Sequence, residues 1–268
     1  MYSKVKNFVL THYISIVRIF AAAIGCFGLV WGAFESSAFW RDSTLQRMAT
    51  QIIAGDEFKN ETLSQQLPAI EKIESSGLCR PVAVRSAAII RLRLFERTNF
   101  VDAQERSGEQ SRLLQVIRNS LSCAPADGFL WLALYFIGPN ERGLESESIN
   151  ALRQSYRVAP HEGWIALKRS RVAFAEFNQL PPDLGDAAIN EFVDMLHDSH
   201  FYDLAAEILI GPAWPERDLI LLQSSRLGDV KRAEFIEELK RRGYVRVPGI
   251  GLVPVDSHRF APKIRVPQ

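Results

Sequence analysis

The rhythm of apolar and polar positions changes twice along this chain. From Ile14 to Phe34 the sequence is almost wholly apolar or small, with Arg18 as its one charge. It shows no polar side, unlike the amphipathic helix of a soluble core. A helix of that length would reach about 30 Å at 1.5 Å per residue, close to the thickness of a hydrocarbon layer. From 43 to 243 apolar residues instead recur at three- and four-residue spacings between short breaks. That pattern predicts helices over 43–54, 62–75, 82–99, 102–122, 127–137, 145–158, 162–177, 184–198, 201–210, 215–226 and 229–242. Gly55-Asp56, Gly77, Ala124-Pro125, Ala159-Pro160, Pro181-Pro182, Gly211-Pro212 and Gly228-Asp229 supply the breaks. Past 243 the pattern changes again. Pro248, Pro254, Pro262 and Pro267 exclude a helix, and the spacing of Val245, Val247, Val253 and Val255 suits an extended tail lying along the last helices.

These rhythms divide the chain into a cytoplasmic amino end (1–12), a transmembrane signal anchor (13–35), a periplasmic all-α domain (36–243) and a proline- and glycine-rich extended tail (244–268). Orientation follows from charge. Lys4, Lys6 and Arg18 lie at the amino side of the span, so that end is expected in the cytoplasm and the body outside it. Arg18 sits one turn inside, near enough for its long stem to carry the guanidinium to the headgroups. Trp31 and Trp40 suit an interfacial belt at the far end. Three other fates stay open: cleavage after Ser36-Ser37-Ala38, giving a secreted helical binding protein; lipid attachment at Cys26; or a buried core helix. The apolar run is longer than the 7–15 residues of an ordinary signal peptide, which favours the anchor.

Within the helical body, two stretches 35 residues apart are spelled alike. Ile117-Arg-Asn-Ser-Leu-Ser-Cys-Ala-Pro-Ala-Asp-Gly-Phe-Leu130 aligns with Leu152-Arg-Gln-Ser-Tyr-Arg-Val-Ala-Pro-His-Glu-Gly-Trp-Ile165. Ala124, Pro125 and Gly128 match Ala159, Pro160 and Gly163. A proline closes one helix because the residue before it is pushed out of the helical region. It is expected to open the next helix, with Asp127 and Glu162 in the first turn and His161 capping. A fixed period of this size is the mark of stacked helix pairs, none of which buries its apolar side alone. Over residues 110–177 the chain resembles tetratricopeptide-type repeats, although the Trp, Leu-Gly and Tyr positions of that consensus are not matched. The resemblance implies an α-solenoid of antiparallel helix pairs. It also implies a non-enzymatic scaffold or adaptor, in company with bacterial envelope processes such as surface polysaccharide assembly or export.

Bulk composition alters little. The chain is 47% hydrophobic and 24% charged with a net charge of +1, as for an ordinary globular protein, so no overall field draws nucleic acid. There is no phosphate loop, no Gly-x-Ser-x-Gly and no zincin helix; Gly249-Ile-Gly251 opens no helix, which excludes a dinucleotide fingerprint. No catalytic residue, metal site or cofactor is assigned, and an enzyme with an unrecognised site on a helical scaffold remains the alternative. His197 and His200, with Glu191, Asp194 and Asp203 near them, read as a solvated helix end rather than metal ligands. Cys79 and Cys123 each precede a proline by two residues and would share one edge of the domain, either as a disulfide, which a periplasmic location permits, or as two buried thiols. Arg85, Arg91, Arg93 and Arg97 line one helix. The second repeat gains Lys168, Arg169 and Arg171 after Trp164, where the first has Ala133, Leu134 and Phe136, so this helix is expected to present a basic face with a tryptophan. Such a face suits an anionic glycan or an acidic protein segment.

Overall fold

Long stretches without glycine or proline dominate the chain, and helices fill them. The computed structural model describes the backbone of residues 2–138, 147–247 and 251–255, and the side chains within them apart from 2–17, 33–41 and 246–247. Among the described residues are α1 (Tyr2–Ala54), α2 (Asn60–Ser64), α3 (Leu67–Ser75), α4 (Pro81–Arg97), α5 (Ala103–Cys123) and α6 (Gly128–Ile137). There follow α7 (Glu147–Val158), α8 (Gly163–Ala175), α9 (Pro182–Met195), α10 (Tyr202–Ile210), α11 (Arg217–Gln223) and α12 (Asp229–Arg241). A short antiparallel pair, β1 (Tyr244–Val247) and β2 (Gly251–Pro254), closes the described chain. The chain is therefore mostly helical, and it forms two units that meet in sequence at Cys123 and Ala124.

In the first unit, α1 runs unbroken through 36–42, where a gap between two helices was expected. No glycine or proline lies between Ala33 and Ala54, and nothing else there can stop a helix that has begun. Gly55 ends it, with a φ of +100° that other residues adopt only at a cost. The last turns of α1 bury Leu45, Met48 and Ala49 and pack on α4. At the middle of this unit, α4 buries Ala83, Ala87, Ala88, Ile89 and Ile90 and meets α1, α2, α3 and α5. The single helix expected over 62–75 is two, because Pro68 lacks an N–H and its ring opposes the carbonyl four residues back; α3 begins with that proline in its first turn. From α5 come Leu113, Ile117 and Leu121 to complete the packing.

Among the described residues no helix is long and apolar enough to cross a membrane. The span expected over 13–35 extends at both ends into residues whose side chains lie outside those described. Where side chains are described, Ile19, Phe20, Phe27, Leu29, Val30 and Trp31 are each 61–76% exposed.

In the second unit α6 packs on α7 and α8 on α9, while α6 also meets α8, α7 meets α9 and α8 meets α10. Phe174, Phe192, Leu209, Ile220 and Phe235 lie in one continuous core. Single-turn 3-10 segments at Phe177–Gln179 and Ser224–Leu227 shorten the helices expected at 162–177 and 215–226 at their ends, and one at Ser199–Phe201 delays the start of the helix expected at 201–210. The expected extended tail is in part a hairpin: Val245 faces Val253 and Tyr244 faces Pro254. Pro254 is tolerated because it stands at the end of an edge strand. Leu252 is fully buried, and the hairpin rests on α11 and α12. Residues 139–146, 248–250 and 256–268 lie outside the described residues, and with them the expected segment start at 145 and the rest of the tail.

Candidate functional site

The two alike turns are built the same way. Ala124 and Ala159 follow the last residues of α5 and α7 by one position, and Pro125 and Pro160 sit in turns before the next helix rather than inside it. At Ala124–Asp127 the amide of Asp127 donates to the Ala124 carbonyl at 3.3 Å, which puts Pro125 at the second turn position, where its fixed φ fits. Asp127 then stands one residue ahead of α6 and caps it, its Oδ1 accepting from the amides of Phe129 and Leu130 at 3.1 Å each. Glu162 takes the same place before α8 without a side-chain bond to the helix, and His161 lies exposed in the turn instead of capping. The helices therefore begin at the glycines, one residue later than expected.

Those glycines mark close approaches. A methyl group on Gly128 would overlap the Ala159 methyl, so the start of α6 presses directly on the turn after α7. Ser155 Oγ donates to the Gly128 carbonyl at 2.7 Å and fixes the same contact from the side. A methyl on Gly163 would overlap the Phe201 ring, so an aromatic ring takes the role that a second alanine turn would play. Near these turns Phe129 and Trp164 lie with ring centroids 5.3 Å apart, and the Trp131 indole N–H donates to the Pro125 carbonyl at 2.8 Å.

The expected basic face of α8 divides in two. Trp164 is half-buried, and Lys168 and Arg171 are exposed, at helical spacings of four and three that keep them on one side. Arg171 pairs with Glu207 at 3.0 Å in water, a contact worth at most about 1 kcal/mol. Arg169 does not belong to this face. It is fully buried, because it stands in the stripe of Ile165, Ala166, Ser170 and Ala173 that faces the core. Its guanidinium donates through Nε to Glu191 at 2.8 Å and through Nη2 to the other Glu191 oxygen. It also reaches Ser155 Oγ at 2.9 Å and the Ala159 carbonyl at 3.0 Å. The Tyr156 ring lies against it, 4.3 Å from the guanidinium carbon. One arginine thus joins α8, α9, the end of α7 and the repeat turn. Burial pushes the Glu191 carboxyl up, and the Arg169 partner offsets only part of that. Burial likewise raises the Tyr156 hydroxyl, which has no hydrogen-bond partner among the described residues, and the Tyr135 hydroxyl, which donates to Glu176 at 2.5 Å. The residue type and its neighbours were visible in sequence, since an arginine on an apolar stripe needs an anion from a facing helix. The identity of that anion was not.

In the first unit Cys79 and Cys123 are joined by a disulfide, with Cα atoms 5.4 Å apart. The arginines of α4 do not form one surface. Arg91 is bidentate to Glu74 at 2.5 and 2.7 Å, Arg93 pairs with Glu96 at 3.2 Å, Arg97 donates to the Phe58 carbonyl at 2.6 Å, and Arg85 is also engaged. In the second unit Asp183 is held by Arg153, whose hydrogen bonds lower its carboxyl, and Asp194 is held by Arg226 at 3.3 Å. His200 Nδ1 lies 2.8 Å from Asp198, both exposed, and His197 lends its backbone carbonyl to Lys231. Among the described residues no group of three or more His, Cys, Asp or Glu side chains is placed to hold a metal ion. Phe136, which stands at the place of Arg171 in the first repeat, is 57% exposed on α6. No protein-family model, curated protein or solved structure matches the chain.

Proposed function

We propose that the chain is a non-enzymatic, membrane-anchored adaptor of a bacterial cell envelope, of tetratricopeptide-like build. Its amino end is cytoplasmic and its helical body periplasmic. One observation carries most of this: the large apolar side chains of α1 between Ile19 and Trp31 are mostly exposed among the described residues. Bare apolar surface of that extent calls for a cover of lipid. The Cys79–Cys123 disulfide supports an oxidising compartment for the body. The pairing of α6 with α7 and α8 with α9, with each pair meeting the next, supports a stacked array. Such an array offers surface for a partner. Trp164, Lys168 and Arg171 are the side chains best suited to an acidic protein segment or an anionic glycan, joining a flat ring to two cations. Surface polysaccharide assembly or export is the process that combines an envelope location with such a ligand.

The test is binding by detergent-solubilised full-length protein to polygalacturonate and to a glutamate-rich peptide, followed by calorimetry at two salt concentrations. Binding to one of them, weakened roughly tenfold or more by Trp164→Ala with Lys168→Glu and Arg171→Glu, is expected. No binding to either, or binding indifferent to those substitutions, contradicts the assignment of this face.

A further inference from the structure

The bridge between Cys79 and Cys123 differs from a buried structural staple. Cys79 lies exposed in the link between α3 and α4, and Cys123 is the partly exposed last residue of α5. Both cysteines line a cleft of about 340 Å³ whose other walls include Ile73, Val84, Ala87 and Val116. Leu78, also on the cleft wall, is 63% exposed, and Val82, in the first turn of α4 three residues after Cys79, is 51% exposed. The two sulfurs also sit in opposite fields. Cys79 lies two residues ahead of the first residue of α4, next to the positive end of a 17-residue helix, and Cys123 lies at the negative end of α5.

We propose that this disulfide is a thiol–disulfide exchange site, and that its partner is a protein dithiol with an apolar rim around its reactive sulfur. The positive helix end stabilises a thiolate at Cys79 more than the negative end does at Cys123, and the better-stabilised thiolate is the better leaving group. The partner's thiolate therefore attacks Cys123 Sγ. The S–S bond breaks, its electron pair departs on Cys79 Sγ, which takes from water the proton that the attacking thiol gave up, and a mixed disulfide joins the partner to Cys123. The partner's second thiol gives its proton to water and attacks its own neighbour's sulfur, releasing Cys123 as a thiolate that takes a proton. In sum two electrons and two protons pass from the dithiol to the bridge, and the partner leaves oxidised. Reduction frees residues 76–80 from the end of α5 and opens the cleft between them. The inference concerns the first unit alone and stands whether or not the face on α8 binds an anion.

The experiment uses folded full-length protein in detergent with Cys26→Ser, which removes the one other cysteine. Thioredoxin lacking its second cysteine serves as the trap, and intact thioredoxin and dithiothreitol as reductants. The expected trapped species carries the mixed disulfide on Cys123 and a free, alkylatable Cys79. With intact thioredoxin both cysteines alkylate in native buffer, the helical circular dichroism persists, and amide exchange rises at 76–82 and 119–123. Leu78→Ser with Val82→Ser slows reduction by thioredoxin roughly tenfold and leaves reduction by dithiothreitol unchanged. A bridge that yields only after denaturant is added overturns the proposal, as does capture on Cys79, loss of the fold on reduction, or equal slowing with both reductants.

Discussion

Arg169 shows what a single buried charge demands of its surroundings. It stands in a core stripe of α8, and five hydrogen bonds or ring contacts from α7, α9 and the turn between α7 and α8 hold it there. Removing the arginine alone leaves Glu191 buried without its cation. Arg169→Met is therefore expected to cost about 3–5 kcal/mol at neutral pH in denaturant unfolding, and Arg169→Met with Glu191→Leu to recover most of that loss. The pair also has a pH signature. Because burial raises the folded-state pKa of Glu191 above its ordinary value near 4.5, the native state holds that proton more tightly than the unfolded chain. Its contribution to stability is complete below about 4.5 and declines as pH rises through the raised value. Glu191→Gln, which cannot ionise, should therefore gain on the wild type across that window and run parallel to it above. A difference that shrinks with rising pH would contradict the assignment. At this scale the sequence shows the demand but not its answer. A cation on an apolar stripe is visible in Ile165-Ala-Leu-Lys-Arg-Ser, yet the run of basic residues after Trp164 suggests one basic face, to which only the exposed Lys168 and Arg171 belong. The acid that neutralises it is 22 residues away on another helix.

Helices were legible where their ends are chemical. Pro81 and Pro182 in first turns, Gly55 at a C-terminus and Asp127 as a cap all act within one turn of their own position, and the elements fall within a few residues of expectation there. Two failures have the same cause in reverse. Pro68 divides a stretch whose apolar spacing alone reads as continuous, and α1 continues through 36–42 because a change from apolar to polar is not a stop signal. The hairpin of β1 and β2 was half legible: alternation announces extended backbone, but pairing depends on a return of the chain that no local pattern encodes. The repeat turn is where local and tertiary chemistry coincide. Gly128→Ala should destabilise by about 1–3 kcal/mol, because the new methyl meets Ala159 and the gain in helix propensity of about 1 kcal/mol does not offset overpacking. Ala159→Gly in the same chain should restore much of it. Gly108→Ala in α5, where among the described residues nothing lies within 4 Å of the new methyl, should instead stabilise by about 0.5–1 kcal/mol. Thermal unfolding of the three variants checks the contrast, and equal effects at 108 and 128 would contradict the close approach.

For the molecule as a whole, two features point to the same place in a cell. The disulfide closes a loop between residues 44 apart, worth roughly 3–4 kcal/mol to the first unit in the loop-entropy account, and it persists only where thiols are oxidised. Bare apolar side chains on α1 lie on the amino side of that unit. Under the proposed function, the amino end lies in lipid and the helical body on the oxidising side, with Trp164, Lys168 and Arg171 as its ligand-binding face. The most direct test is fractionation of cells making the full-length chain, followed by protease added from the periplasmic side. The chain is expected to stay with membranes through alkaline carbonate and to leave them in detergent, with the body from about residue 43 onward digested and the amino end protected. An uncleaved chain in the aqueous fraction, or a body that protease reaches only from the cytoplasmic side, would contradict the account.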